Sequence, residues 1–227
     1  MSEKKTEVKK IFDSIAWRYD LLNHLLSFGM DIKWRRKALK LTGLNPSCIL
    51  LDVACGTGDV AAEARRQGVK NIFGTDFSFN MLKLFEKKSE WIKRRTVQSV
   101  AENIPFRDEC FTNITVAFGV RNFYDIREGF KSFYRILRKD GKATIIEFRL
   151  PSGVVFKNLY KFYFKKILPL VGGIISGDRE AYRYLPRSVE EFDEKIDMAE
   201  LLRGSGFRKI DFYPLTLGIV QVIIAEK

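Results

Sequence analysis

The stretch LDVACGTGD, residues 51–59, ends a continuous apolar run in Gly56-Thr57-Gly58 and then turns polar. A strand that stops at two glycines and opens a helix lets a ligand lie against backbone, because neither glycine presents a side chain. The same turn places amide donors at a helix N-terminus. The residue three after Gly58 is Ala61, so the GxGxxG dinucleotide pattern is missing, and the Lys-Ser/Thr pair of a phosphate-binding loop is missing too. A pyrophosphate is therefore not the expected ligand. Asp76 follows Gly58 by 18 residues, at the end of a second apolar run. A carboxylate at that place can accept hydrogen bonds from both hydroxyls of a ribose. The plainer alternative is a tight turn at the glycines and an Asp76 that only caps the helix beginning at Ser78. The two features together favour a nucleoside ligand.

These residues need strands and helices in strict alternation, and the hydrophobic pattern supplies them. Residues 3–18 and 31–42 read as helices, with Ile11, Ile15 and Leu39 on apolar faces. SCILLDVAC (47–55) reads as a buried parallel strand, followed by a helix at about 58–67. NIFGTDF (71–77) reads as a strand and Ser78 as the N-cap of a helix through MLKLFEKK. FTNITVAFG (111–119) and KATIIEF (142–148) read as strands around the helical DIREGFKSFYRILRK (125–139). FRKIDFYPL and LGIVQVIIAEK, 207–215 and 217–227, are joined too closely for a parallel crossover and should pair antiparallel. The expected fold is α/β with helices on both faces of a mostly parallel sheet, in one domain. Residues 1–45 form a helical cap over a core at 46–150, a helical insertion at 151–205 precedes the closing β-hairpin at 206–227, and the cap and insertion are candidates for a substrate lid.

The counts exclude other classes. Three Cys, at 48, 55 and 110, with no CxxC spacing, and a single His24 argue against a disulfide framework or a Cys/His zinc site, so no metal is expected. Cys55 and His24 read as packing residues, and a reduced cytosol is the expected compartment. No stretch approaches the roughly 20 charge-poor apolar residues of a membrane span. The net charge of +12 suits an anionic partner, either nucleic acid or a lipid surface. Residues 151–187 carry +5 and are the most basic block for their length. Within them Phe156, Tyr160, Phe162, Phe164, Ile167 and Leu168 alternate with Lys157, Lys161, Lys165 and Lys166. That pattern fits a helix packed on the domain, an interfacial helix on anionic lipid, or both.

LDVACGTGD, GTDFS, AENIPF and TVAFG, in this order and spacing, resemble the class I methyltransferases that use S-adenosylmethionine. The resemblance narrows to the menaquinone and ubiquinone C-methyltransferases through VKKIFDSIAWRYDLLNHLLSFGMDIKWRR, AFGVRN, EFRLP, YRYLPRSVEEF and LTLGIVQVIIAEK, and it covers essentially the whole chain. It implies a Rossmann-like sheet of seven strands with the last antiparallel, S-adenosyl-L-methionine as cofactor and S-adenosyl-L-homocysteine as product. By the same resemblance Thr57 and Asp76 occupy motif positions in the cofactor site, beside Gly56 and Gly58, with Asp52 and Met81 in secondary places. The family's usual Asn or Asp before the Ala-Glu pair is Val100 here, and a frequent Ser is Ala117, so at Val100, Ala101 and Ala117 only backbone contacts are expected.

The implied reaction moves a methyl group to a ring carbon of a prenylated quinol, demethylmenaquinol before other quinols. A ring hydroxyl must lose its proton so that the ring carbon attacks like an enolate. Arg121 is the first candidate to stabilise the oxyanion, directly or through a water, and cannot itself act as base at its ordinary pKa. Its plainer alternative is an ion pair. Asn122 is expected to orient Arg121 or the substrate, and Tyr19 and Glu147 are alternative partners. Such a substrate would draw the protein to the inner face of the membrane as a peripheral protein, and a homodimer is compatible with the sequence. An RNA or DNA methyltransferase is the rival reading, disfavoured because VAFGVRN lacks the Asn/Asp-Pro-Pro-aromatic and Pro-Cys motifs of those enzymes. A non-catalytic cofactor-binding protein is the other.

Overall fold

A computed structural model describes residues 24–176 and 179–227. Helix α1 (Met30–Thr42) precedes β1 (Ile49–Val53), α2 (Asp59–Arg66), β2 (Asn71–Asp76), α3 (Phe79–Lys88), β3 (Thr96–Gln98) and β4 (Phe111–Ala117). Helix α4 (Ile126–Ile136) then leads into β5 (Leu137–Phe148). The described part of the insertion is mainly helical: α5 (Val154–Phe162), a π-turn, α6 (Leu168–Ser176), α7 (Arg179–Lys195) and α8 (Met198–Gly204). Strands β6 (Lys209–Leu215) and β7 (Val220–Glu226) close the chain.

The seven strands form one sheet in the order β3-β2-β1-β4-β5-β7-β6. Only β7 runs against the rest, pairing antiparallel with both β5 and β6. The strand order reverses between β1 and β4, and sheets of this kind bind ligands at that point, outside the strands' carboxyl ends. Helices cover both faces. Phe130, Phe133 and Ile136 of α4 pack with Met198 and Leu202 of α8 on one side, whereas Leu82 and Phe85 of α3 pack with Val60 and Ala64 of α2 on the other. Asp125 starts α4 by accepting a hydrogen bond from the Glu128 amide at 3.0 Å.

Three boundaries differ from the pattern reading. The strand Thr96–Gln98 is too short and too exposed to carry a hydrophobic period. Residues 137–139 belong to β5 and not to the preceding helix, because Leu137 pairs with Phe111 on the edge of β4. Strand β4 ends at Ala117, since Phe118 turns to φ +58° and leaves the extended region. The expected helix at 3–18, with Ile11 and Ile15, lies outside the described residues.

Candidate active site

A cleft at the carboxyl ends of β1, β2 and β4 is lined by Gly56, Asp76, Met81, Val100, Ala101 and Ala117, six of the expected cofactor residues. A recess sharing Gly56 and Ala117 with it continues along Asp52, Thr57, Asp59 and Arg35. Asp76 is buried at the end of β2. Its Oδ2 accepts from the Gly56 amide and its Oδ1 from the Ser78 amide, both at 2.8 Å. The capping alternative is thus partly right: Asp76 receives the Ser78 amide, and Ser78 Oγ in turn accepts from the Met81 amide at 3.3 Å. A carboxylate oxygen has more than one lone pair, so Asp76 is held by backbone while it keeps acceptor capacity toward the cleft.

The two glycines separate in role. Gly56 sits at φ +52° with nothing within 4 Å of where a Cβ would be, so its bare Cα leaves room on the ligand side. Gly58 lines neither cavity. At φ +86° a Cβ there would stand 2.1 Å from the Phe85 ring. Its missing side chain serves helix packing against Phe85, a requirement that stands apart from any ligand. Asp52 accepts from Thr115 Oγ1 at 2.8 Å and from the Ala61 amide at 3.2 Å. Burial pushes its carboxyl up to about 7, against these two hydrogen bonds and the nearby Arg35 guanidinium, which lower it. Cys55 is buried beside Asp76 and Asp52, and burial first and those carboxylates second raise its thiol well above the ordinary range. It packs against Gly74, and a thiol held protonated is a poor nucleophile.

Beyond Phe118 lies a second cavity of about 530 Å³. Three distant parts of the chain, Leu26 to Arg35, the insertion from Phe156 to Leu185 and the turn Thr216–Ile219, close it over Phe118, Arg121 and Phe148. Side-chain bonds hold the three together, with Trp34 Nε1 donating to Thr216 Oγ1 and Tyr163 Oη to the Leu26 carbonyl, each at 2.7 Å. The lining is chiefly aromatic and aliphatic, and Arg121 stands in it. Arg121 Nη1 donates to Glu147 Oε1 at 2.7 Å and to the Phe118 carbonyl at 2.5 Å, and the guanidinium lies 5.8 Å from the Phe148 ring centroid. Glu147, 3% exposed, does not line the cavity and also accepts from the Phe148 amide at 3.0 Å.

The catalytic expectations divide accordingly. Arg121 is both an ion-pair member and a cavity wall. Glu147 is a buried carboxylate behind Arg121, bonded to its guanidinium and absent from the cavity lining. Asn122 lines the cofactor cleft and accepts from Tyr184 Oη at 2.7 Å; Arg121 bonds to Glu147, Phe118 and Ser188 and not to Asn122. Tyr19 lies outside the described residues. The sequence reading missed Phe118, which walls all three cavities, and Arg35, which walls two. Positive φ at Phe118 had no signal in its residue type, whereas Arg35 stood within the N-terminal signature without a role.

His24 is bound to Asp31, Nδ1 to Oδ2, at 2.7 Å and approaches Asp59 Oδ2 at 3.8 Å. His24, Asp31 and Asp59 offer atoms within 4.8 Å of one another, a spacing that suits a metal ion. The Arg35 guanidinium already stands among them, paired with Asp31 and 3.8 Å from Asp59.

Residues 1–227 match the ubiE/COQ5 methyltransferase family. The chain belongs to this family. It is accordingly an S-adenosylmethionine-dependent C-methyltransferase. The chain is 45% identical over 233 residues to a "Ubiquinone/menaquinone biosynthesis C-methyltransferase UbiE" of Geotalea daltonii, covering 100% of this chain and 99% of that protein. It is 39% identical over 230 residues to a "Demethylmenaquinone methyltransferase" of Chlorobaculum parvum, covering 100% and 95%. Among solved structures, a Thermotoga maritima SAM-dependent methyltransferase, a possible histamine N-methyltransferase, superposes with a TM-score of 0.65 at 17% identity. The match covers 96% of this chain and 99% of that one and concerns the fold alone. The methyltransferase thus has the family's seven-stranded sheet, with β7 as its antiparallel strand.

The described residues fit the cofactor. The bare Gly56 gives room for a thioether chain, the fixed Asp76 carboxylate suits a ribose, and Met81, Val100 and Ala101 give an apolar bed for adenine. Among the described residues no helix of this methyltransferase is long and apolar enough to cross a membrane.

Proposed function

We propose that the chain methylates a ring carbon of a prenylated quinol, with demethylmenaquinol as the preferred acceptor. The observation that carries the reading is the 530 Å³ apolar cavity with Arg121 in its wall, set next to the cofactor cleft across Phe118. Its volume is in the range of pockets that enclose small organic ligands. Phe28, Leu159 and Phe162 line it and are also exposed, at 81%, 62% and 57%. They form an apolar mouth through which a prenyl tail can leave. A nucleic-acid acceptor would engage cationic and polar side chains through its phosphates, whereas this lining is chiefly aromatic and aliphatic.

When bound, the cofactor supplies an electrophilic methyl group on a sulfonium. Asp76 binds the ribose; Gly56, Thr57 and Asp52 shape the bed of the methionine part; Met81, Val100, Ala101 and Ala117 bound the base and sulfur side. Arg121 donates a hydrogen bond to a ring oxygen, directly or through one water, and favours its deprotonated form. The ring carbon then gains enolate character, and the hydroxyl proton leaves to water, since a guanidinium does not accept it. Once that carbon carries the methyl group, its own hydrogen leaves as a proton to water and the ring oxygen is reprotonated, so the ring is aromatic again and one proton is released overall. Glu147 holds Arg121 in place. The apolar walls exclude bulk water and strengthen the guanidinium's pull on the oxyanion.

Purified protein given labelled S-adenosylmethionine should methylate a short-chain demethylmenaquinol when the quinone is reduced and not when it is oxidised. Transfer to RNA without transfer to quinol would overturn the reading. A benzoquinol acceptor in the same assay tests the ring preference.

The membrane surface belongs to the same proposal. The exposed Phe28, Leu159, Phe162 and Leu170 lie on or beside the cavity mouth, with Lys157 and Lys166 on the same stretch of helix. Lys161 and Lys165 contribute less than the sequence count suggested, because both pair with Glu190, at 3.2 and 2.8 Å. Replacing Leu159 and Phe162 by Ser should reduce binding to anionic vesicles more than Lys161→Glu does; equal binding by all variants would remove the surface from the proposal.

A further inference from the structure

Arg35 projects from α1 into the core and is 7% exposed. Apart from Phe118 it is the one residue, among the described residues, that walls both the recess beside the glycine loop and the apolar cavity. Its donors are unevenly used. Nη1 pairs with Asp31, the guanidinium stacks 5.6 Å from the Phe118 ring centroid, and Nε is buried with no hydrogen-bond partner. Nη2 stands 3.8 Å from Asp59 Oδ2, beyond hydrogen-bond length, while Asp59 Oδ1 is held by Lys88 Nζ at 2.5 Å. A buried guanidinium with donors left over beside a ligand recess needs an acceptor to arrive.

The arrangement of charges around it narrows what that acceptor is. Arg35, His24 and Lys88 alternate with Asp31 and Asp59 at the start of α2, where helix amides also favour an anion. Such a mixed site suits a zwitterion, with a carboxylate on the guanidinium and an ammonium on a carboxylate. An α-amino acid group is the chemistry that fits, and the methionine end of the cofactor carries one.

We propose that Arg35 binds the α-carboxylate of the cofactor's amino-acid part, using Nη2, with Asp59 as the acceptor for its ammonium. Arg35 then connects the N-terminal segment to the occupied cofactor site. Because the same side chain walls the acceptor cavity, the cofactor's charged end fixes a boundary of the space in which the acceptor sits. The assignment rests on the cofactor alone and is independent of which acceptor is methylated.

Calorimetric titration of the full chain tests it with two ligands that differ only in the amino-acid part. S-adenosylhomocysteine carries that part and 5′-methylthioadenosine lacks it. Arg35→Gln should weaken S-adenosylhomocysteine about 10- to 100-fold, while methylthioadenosine binds within about twofold of the unaltered protein. Arg35→Lys, which keeps the charge and loses the fork, should fall between. Equal weakening of both ligands, unchanged binding of both, or loss of all binding in both variants would overturn the assignment, since each removes the dependence on the carboxylate. Retained methylthioadenosine binding also serves as the check that the variants fold.

Discussion

The cofactor side and the acceptor side of this site are built by opposite means. The cofactor cleft draws on residues 53–124, from loops that follow β1 to β4, and its central carboxylate, Asp76, is fixed by hydrogen bonds from the backbone amides of Gly56 and Ser78. The acceptor cavity is assembled from segments up to about 190 residues apart, joined by single side-chain bonds such as Trp34 to Thr216. Backbone-held geometry survives most side-chain changes, whereas a cavity closed by side chains depends on each latch. One half therefore binds a fixed ligand, and the other half is free to vary in shape around one guanidinium.

The largest way to break that contrast is at the Arg121–Glu147 pair, where the acceptor side reaches its most buried charges. Arg121→Met leaves Glu147 buried without its cation and should lower stability by about 3–5 kcal/mol. Glu147→Gln keeps a hydrogen-bond acceptor for Arg121 and should be milder, lowering turnover while leaving S-adenosylhomocysteine affinity near that of the unaltered protein. Urea unfolding and calorimetry read the two effects separately. Lost cofactor affinity in Glu147→Gln would show that the halves are not independent.

Within the cofactor half, the glycines sharpen the comparison. Gly58→Ala drives a Cβ into Phe85 at an unfavourable φ and should cost about 2–4 kcal/mol in unfolding experiments. Gly56→Ala carries only the backbone strain, about 1 kcal/mol, and should instead weaken cofactor binding. The reverse ranking would mean that Gly58, not Gly56, faces the ligand.

A smaller effect follows from Asp52. Burial raises its folded carboxyl to about 7 from the ordinary 3.8. Between those values the folded chain keeps a proton that the unfolded chain has lost, so this residue makes the protein less stable as pH rises from about 4 to about 7. The slope is at most about 1.4 kcal/mol per pH unit. Asp52→Asn, whose amide can still bond Thr115 and Ala61, should flatten the difference in unfolding free energy between pH 5 and pH 8. An unchanged difference would place the titration elsewhere.

The smallest effect has the opposite sign and lies on the acceptor side. Tyr160 is stacked on Phe164, with ring centroids 4.7 Å apart, and its buried hydroxyl has no hydrogen-bond partner among the described residues. Burial drives that hydroxyl well above the usual phenol range. Tyr160→Phe keeps the stack, removes the unsatisfied group and should stabilise the chain by about 1 kcal/mol. A lower melting temperature would show that the hydroxyl has a partner in solution.

Much of the cofactor half was legible because its signals are local. Gly56 and Asp76 follow short apolar runs, Met81 lies in the first turn of the helix after the second run, and strand ends on a parallel sheet come together by topology alone. The capping role of Ser78 was legible for the same reason. The packing demand at Gly58 is not legible, because a glycine required by a neighbouring ring looks the same in a sequence as one required by a ligand. Glu147 was read as an alternative catalytic partner; its place behind Arg121 depends on how β5 and the loop after β4 lie side by side. That Lys161 and Lys165 share Glu190, which offsets one of their two charges, depends on a later helix and is not legible in the basic stretch itself.

The sequence by itself determined the alternation of strands and helices, the glycine turn with its acidic partner, and the family, since each depends on residue type at short spacing. Only the tertiary structure decided which side chains share a wall. Arg35 and Phe118, 83 residues apart, became neighbours between two cavities because α1 packs on the face of β5 and β7 with its first turns beside Phe118 and Phe148. No pattern along the chain encodes a contact that exists only once the sheet has formed.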